Sequence, residues 1–338
     1  MSAVPRPRAA PVRIALLGTG TVGTAFRERL HAWRDEPRTP LALVAEANTR
    51  TCRVHGAATA ARAPVAVGFA ERAVHALGSG GTRIVVDATA SEALAECHAG
   101  WLERGLHVVT ASKLGQGGPW SRWEAIVSAR TRAGTRYGDS ATVGAGLPLL
   151  RSLRDLRAAG ERIHAIAGVL SGSLAWLLAR HDGSRPFADW VGEAHARGYT
   201  EPDPGQDLSG EDVRRKLLIL ARAAGHALAC DIVQVEPLLP AAMAARLEEA
   251  RIAGGRLAYV ARLQCDGDRL LARAGLECLA PGDPLAHGGE TDNRVAIWCD
   301  RYRERPLLIQ GPGAGAGVTA AALLDDVLAI ARGAALTS

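Results

Sequence analysis

The run Gly18-Thr19-Gly20-Thr21-Val22-Gly23 constrains this chain more than any other feature. It follows Arg13 to Leu17 (RIALL), which reads as a short apolar strand, and it opens a helical stretch through about Trp33. Strand, G-x-G-x-x-G, helix is the context in which main chain can approach a pyrophosphate. The first glycine allows the tight turn. The second lets backbone come close to the phosphates, which then rest on the helix N-terminus. Gly18, Gly20, Thr21, Val22 and Gly23 are therefore candidate contacts for a dinucleotide, NAD or NADP.

The alternation continues downstream. Leu41 to Ala47 (LALVAEA), Ile84 to Ala88 (IVVDA) and His107 to Thr110 (HVVT) read as strands, with a helix from about Ser91 to Arg104. Strands alternating with helices predict a parallel, doubly wound sheet. After about residue 140 the pattern changes. Helices are expected at 147–159, 173–180, 187–197, 210–224 and 241–252, and strands at 163–170, 256–264, 269–277, 294–299 and 306–310. A last helix, about 317–332, follows the turn Gly311 to Gly317. The expected fold is thus α/β: a Rossmann-type doubly wound parallel sheet plus a second α+β domain with its own sheet. Residues 12–140, completed by 311–332, would bind the dinucleotide, and 141–310 would form the second domain.

Glu46, at the end of the second strand, stands where an acid would bind a ribose 2′-hydroxyl and favour NAD. Asn48-Thr49-Arg50 follows at once, and Arg50 would hold a 2′-phosphate. The balance tips slightly to NADP or to dual use.

Ligands in open α/β sheets bind beyond the carboxyl ends of the strands. Thr89 and Thr110 fall there, and so does Lys113. Composition makes that lysine informative. Of 40 basic residues only Lys113 and Lys216 are lysines; the rest are arginine. Arginine cannot release its proton at usable pH, whereas a desolvated lysine can. Both lysines are therefore candidates for proton chemistry.

Lys216 ends the stretch GYTEPDPGQDLSGEDVRRK, residues 198–216. A turn rich in proline, glycine and carboxylates enters a helix there. Asp212 and Lys216 are four apart and share a helix face. Taken alone, this reads more readily as a solvated acidic loop and a surface ion pair worth about 0–1 kcal/mol. Its spacing does not match an EF-hand.

Other classes find little support. The formal charge is +5, but the arginines are scattered and aromatics make up only 4%, so no nucleic-acid surface is indicated. No apolar run reaches the roughly 18–20 residues that span a bilayer. Met1 to Pro11 is Pro/Arg-rich without an apolar core and reads as a disordered leader, which places the protein in the cytoplasm. The six cysteines, at 52, 97, 230, 265, 278 and 299, have no metal-ligand spacing and read as small buried hydrophobes in a reducing compartment. The ten histidines carry no assigned chemistry.

In order, LLGTGTVG, VVDAT, HVVTASK, ATVGAGLPLL, GVLSGSLAWLL, GYTEPDPGQDLSGEDVRRK and LIQGPGAGAGVTA resemble the homoserine dehydrogenase family over roughly residues 12–332. The acidic stretch is the most specific of these. The resemblance implies NAD(P)-dependent interconversion of L-homoserine and L-aspartate 4-semialdehyde, in threonine, methionine and isoleucine biosynthesis. It implies that Gly18 to Gly23, Thr89, Thr110 and Lys113 hold the cofactor, with Gly198 and Gly315 completing the pocket. Glu201, Asp207 and Asp212 would contact substrate, with Tyr199, Gly172 and Ser173 nearby. Lys113 and Lys216 would be the active-site lysines. It further implies a monovalent cation, typically sodium, on the carbonyls of Ser140, Val143, Ala145 and Leu147, and a homodimer formed through the second domain.

The chemistry agrees. Homoserine's ammonium needs carboxylate partners, which Glu201 and Asp207 supply. The alcohol proton needs a base, and Lys216 is the expected group, with Lys113 orienting the hydroxyl. The chain departs from the family pattern at Ser112 (often Asn), Ser140 (often Glu) and Ala90 (often a hydroxyl residue). It ends near the end of the core, without the ACT domain of many relatives, so no threonine inhibition through such a domain is expected. Two other readings are a dehydrogenase for another amino-acid semialdehyde and a non-catalytic dinucleotide sensor. Both lysines and the acidic loop argue against the sensor.

Overall fold

The computed structural model describes residues 11–33, 39–56, 68–267 and 269–333. The expected leader, apart from Pro11, lies outside the described residues.

The first sheet contains β1 (Val12–Leu17), β2 (Leu41–Ala47), β3 (Cys52–Val54), β4 (Arg83–Asp87), β5 (His107–Thr110) and β6 (Tyr137–Gly138). Their order is β3-β2-β1-β4-β5-β6. All neighbours run parallel except the edge strand β3, which returns antiparallel along β2. Ile14 and Leu16 bury on one face of β1 and Ala15 and Leu17 on the other. A strand covered on both sides needs apolar residues at every position. Helix α1 (Thr21–Ala32) covers the first face; α2 (Phe69–His75), α3 (Glu92–Glu103) and α4 (Trp120–Ala133) cover the second.

Sequence reasoning does not anticipate α2 or α4. The buried stripe of α4 is thin, Trp123, Ile126 and Ala129, and it includes Arg122. That guanidinium is buried against Glu92 and Glu96 of α3, a pairing no local pattern reveals.

The rest of the chain gives α5 (Leu149–Ala158), β7 (Ile163–Val169), α6 (Gly172–Arg180), α7 (Phe187–Ala196), α8 (Pro204–Leu208), α9 (Glu211–Ala223), β8 (Gln234–Val235), α10 (Pro240–Ile252), β9 (Arg256–Asp266), β10 (Arg269–Leu279), β11 (Asp292–Cys299), β12 (Leu307–Pro312) and α11 (Ala316–Ala331). The second sheet has the order β12-β11-β7-β9-β10-β8 and is antiparallel except for the short β8–β10 pair. Helices α5, α6, α7, α9 and α10 share a core with one of its faces. The anticipated strands and helices of this half end within two residues of those observed.

After β12 the chain crosses back. Helix α11 buries Ala320, Leu323, Val327 and Ile330 in one core with α1 and the first sheet. Its Asp326, fully buried, accepts hydrogen bonds from the Ser140 amide (2.9 Å) and hydroxyl (2.7 Å). Ser140 thus acts through its side chain too, where only its carbonyl was expected to matter.

The cysteine expectation needs correction. All six are free, but only Cys299 is buried, and Cys278 is exposed. Among the described residues, no helix is long and apolar enough to cross a membrane.

Candidate active site

The strand order of the first sheet reverses between β1 and β4, and the loops leaving those strands meet there. Such a switch point opens a crevice for a ligand. Gly18 has φ +94°, and a Cβ on it would lie 2.7 Å from the Ala88 carbonyl oxygen. A Cβ on Gly23 would lie 1.9 Å from the Gly18 carbonyl oxygen. A Cβ on Gly20 would meet nothing within 4 Å. The outer glycines are packed and the middle one faces open space. Helix α1 begins at Gly20 with no side-chain cap, so the amides of its first turn, Thr21 and Val22 included, are available to an anion. This cradle fits a pyrophosphate.

At the end of β2, Glu46 is buried and faces two arginines and a histidine. Arg27 lies 3.2 Å from it, Arg53 3.7 Å and His55 3.8 Å. The Asn48 side-chain oxygen, Oδ1, accepts from the amides of Arg50 and Thr51 (both 2.8 Å), which shapes the next turn. The Arg50 side chain is exposed and has no ion pair among the described residues.

Beyond β4 and β5, one buried carboxylate organises the main chain. Asp87 accepts from the Thr89 amide (3.0 Å) and hydroxyl (2.7 Å). Its other oxygen lies 3.0 Å from His98 Nε2, and His98 Nδ1 lies 3.0 Å from the Tyr137 hydroxyl. Asp87 and His98 are completely buried. Thr110 is buried as well. Its hydroxyl donates to the Asp87 carbonyl (3.1 Å) and accepts from the Ser112 amide (2.9 Å). Thr110 therefore shapes the turn and does not present its hydroxyl to the crevice.

That turn delivers Lys113, whose Nζ lies 3.1 Å from Asp212 Oδ1. On the other carboxylate oxygen sits Lys216 Nζ, at 2.7 Å. Asp212 lies in the first turn of α9, where a carboxylate is favoured by the helix dipole. Lys216 follows one turn later and also donates to the Leu170 carbonyl at 2.7 Å. The two lysines of the chain thus meet across one aspartate. Burial alone would raise the Asp212 carboxyl, but the Lys216 and Lys113 charges outweigh it and hold it well below the usual carboxylate range. Burial pulls the Lys216 ammonium below its ordinary value; Asp212 opposes this, Lys113 adds to it, and the net direction is down.

The acidic loop closes one side. Asp207 accepts from the Ser173 hydroxyl (2.7 Å) and the Glu201 amide (2.9 Å). Ser171 caps α6 and lies 2.9 Å from Ser173. Gly172 is pinned, because a Cβ there would approach the Thr291 carbonyl oxygen at 3.0 Å. Tyr199 is partly exposed and packs on Trp176 with ring centres 5.4 Å apart. The Glu201 side chain is exposed. Gly198 (φ +72°) and Gly315 (φ +128°) mark turns at the end of α7 and the start of α11. In the 140–147 loop, Gly144 (φ +74°) is followed by Ala145 (φ +51°), the one non-glycine residue with positive φ among the described residues. Strained backbone of this kind clusters at functional sites.

Sequence reasoning missed Asp87, His98, Tyr137, the Leu170 carbonyl and Asp326. Asp87 lay inside the VVDAT stretch without a role of its own. A lone histidine on α3 carries no signal until the fold sets it beside Asp87.

A parallel nucleotide-type sheet with a glycine turn at its switch point, joined to a site with two lysines, defines a dinucleotide-dependent oxidoreductase. Two family models match: "Homoserine dehydrogenase, NAD binding domain" over residues 18–137 and "Homoserine dehydrogenase" over 148–328. The homoserine dehydrogenase of Emericella nidulans is 32% identical, with 95% of this chain and 98% of that protein covered. The bifunctional aspartokinase/homoserine dehydrogenase 2 of Escherichia coli is 41% identical over 74% of this chain, which spans 33% of that protein. A Candida auris protein of unknown function has a similar structure, with TM-score 0.84, 28% identity, and 95% and 98% of the two chains covered. A hyperthermophilic archaeal homoserine dehydrogenase solved with NADPH shares the fold, with TM-score 0.75, 20% identity, and 95% and 97% covered. The chain belongs to the homoserine dehydrogenase family of NAD(P)-dependent oxidoreductases.

Proposed function

We propose that this protein interconverts L-homoserine and L-aspartate 4-semialdehyde, a step in amino-acid biosynthesis, and that Lys216 carries the alcohol proton. The observation that carries this reading is the Lys113–Asp212–Lys216 bridge. As a neutral amine, Lys216 has two N–H bonds and one lone pair. Its two fixed acceptors, the Leu170 carbonyl and Asp212, take the two N–H bonds. The lone pair is left to receive the hydroxyl proton as the alcohol carbon gives up hydride. Burial, which lowers the Lys216 ammonium, favours that neutral form. Accepting hydride is the chemistry the nicotinamide supplies. Lys113, the more exposed of the two, orients the hydroxyl. Glu201 and Asp207 face the substrate's ammonium.

Gly18, Gly20, Thr21, Val22 and Gly23 would hold the pyrophosphate, Thr89 and Lys113 the nicotinamide end, and Gly198 and Gly315 the rim. The engagement of Glu46 by Arg27, Arg53 and His55, beside an Arg50 side chain without an ion pair among the described residues, supports NADP over NAD. The tight turn at Gly144 and Ala145 supports a monovalent cation on the carbonyls of Ser140, Val143, Ala145 and Leu147. We assign 12–140 with 311–332 to cofactor binding, and 141–310 to substrate binding and dimer formation. A shallow cavity of about 430 Å³ beside His164, Leu263 and Trp298 leaves the second sheet a face for a partner subunit. Six free cysteines fit a reducing compartment such as the cytoplasm.

Initial rates with L-homoserine and a panel of other small alcohols, run with NAD and with NADP, test the reading. Turnover on L-homoserine, faster with NADP, is expected. Turnover on another alcohol alone would overturn the substrate.

A further inference from the structure

A cavity of about 480 Å³ opens between α4, α5 and the end of α9. Neither Lys113, Asp212 nor Lys216 lines it. Four arginines do: Arg130, Arg154, Arg157 and Arg222. Arg154 is neutralised by Asp139 through two hydrogen bonds of 2.6 Å. The other three have no carboxylate partner among the described residues. Arg157 donates to the Ala223 carbonyl at 3.2 Å. Arg222, buried, donates to the carbonyls of Gly118 (2.9 Å), Leu228 (2.9 Å) and Gln116. The Arg130 side chain makes neither a hydrogen bond nor an ion pair among the described residues, though it feels the more distant charges of Arg154 and Asp139. Elsewhere arginines such as Arg122, Arg262 and Arg301 are paired with carboxylates. One carboxylate, Glu124, lines the exposed side of the cavity.

A second observation points to a ligand. Gln116 lines the cavity, is 1% exposed, and its Oε1 has no hydrogen-bond partner among the described residues. A buried polar atom without a partner is costly. An occupant that satisfies both needs carries an anionic group for the guanidiniums and a hydroxyl or ammonium donor for Gln116. Guanidiniums recognise carboxylate and phosphate through paired N–H donors, and the volume suits a small organic molecule.

We propose that this cavity is a second ligand site, which takes a small phosphate- or carboxylate-bearing molecule with at least one hydroxyl or ammonium donor, and that its occupancy steadies the Lys113 turn. The link is short. Arg222 holds the carbonyls of Gln116 and Gly118, and the Gly117 amide donates to the Lys113 carbonyl at 2.7 Å. An anion that contacts Arg222 and Gln116 therefore bears on the turn that presents Lys113.

Calorimetric titration of the full chain with glycerol 3-phosphate and with L-malate tests this, at constant ionic strength and with NADPH saturating so that the cofactor's own anion site is filled. Saturable binding of at least one probe is expected, weakened about tenfold or more in Arg130→Gln/Arg157→Gln and tightened in Glu124→Gln. A saturating probe should change kcat by about twofold or more in the wild type and leave the double variant, with its normal basal rate, unchanged. Binding of neither probe, or equal binding to the double variant, would overturn the site. Should the double variant fail to fold, unchanged affinity in Glu124→Gln would do the same. Binding without any effect on kcat would overturn the coupling to Lys113. Which probe binds more tightly identifies the anionic group.

Discussion

The Gly18–Gly23 turn and the Lys113–Asp212–Lys216 cluster do comparable work with opposite materials. The turn is main chain: two packed glycines, one open glycine and the uncapped start of α1. The cluster is side-chain charge, drawn from the end of β5 and the start of α9, with Asp212 between the two lysines. A cradle of main chain depends on space and tolerates changes of charge. A charge cluster depends on which groups hold protons and tolerates little change of chemistry. Substitutions that alter only space or only charge should separate the two.

The largest effect belongs to the cluster. Lys216→Arg keeps the charge but cannot release its proton at usable pH, so kcat should fall by about 10²–10⁴-fold while NADP affinity holds. Single-turnover kinetics and a cofactor titration check both halves, and normal turnover would remove Lys216 from the proton path.

At the turn, Gly23→Ala forces a methyl against the Gly18 carbonyl. It should cost about 3 kcal/mol or more of stability, measured by urea unfolding. Gly20→Ala should leave stability unchanged and weaken cofactor binding alone. Equal stability losses in the two variants would contradict the assignment of packed and open glycines.

A smaller effect is expected where α11 packs back on the first domain. Burial pushes the Asp326 carboxyl up to about 6, with Asp139 adding to the rise and the Ser140 hydrogen bonds opposing it. The folded chain therefore holds this proton more tightly than the unfolded chain. Stability from this group is present at low pH and is lost as pH rises from the ordinary carboxylate range through about 6. Asp326→Asn should stabilise by about 1–3 kcal/mol at pH 7.5 and give no gain below about pH 4. Thermal unfolding across that window would show the opposite slope if the carboxylate were favoured in the fold. Smallest of all, Arg50→Ala should raise KM for NADP about tenfold and leave KM for NAD nearly unchanged.

The same contrast explains what could be read from the sequence. The glycine turn is encoded within six adjacent residues, and the strands that flank it have their own apolar pattern. Its place in the fold was therefore legible. The cluster joins residues far apart in the chain. Lys113 and Lys216 stood out because all other Lys/Arg positions are arginine, and Lys113 also because it follows the carboxyl end of a strand. Asp212 was placed on the same helix face as Lys216, but its bridge to Lys113 was not visible. Asp87, His98 and Tyr137 come from three elements that meet only in the folded sheet, so no spacing signals them. Helix α4 was hidden because Arg122 interrupts its apolar stripe, and its partners lie on α3.

The coupling of the two lysines through Asp212 is tested most directly by the pH dependence of kcat/KM for L-homoserine oxidation, measured for the wild type and for Asp212→Asn. Burial and Lys113 lower the Lys216 ammonium while Asp212 raises it. The rate should therefore rise with pH through a value below that of an ordinary lysine, and the limb should move further down in the variant. The substrate's own ammonium titrates alike in both proteins and cancels in the comparison. A limb at the ordinary lysine position, or one that stays in place when Asp212 loses its charge, would contradict the account.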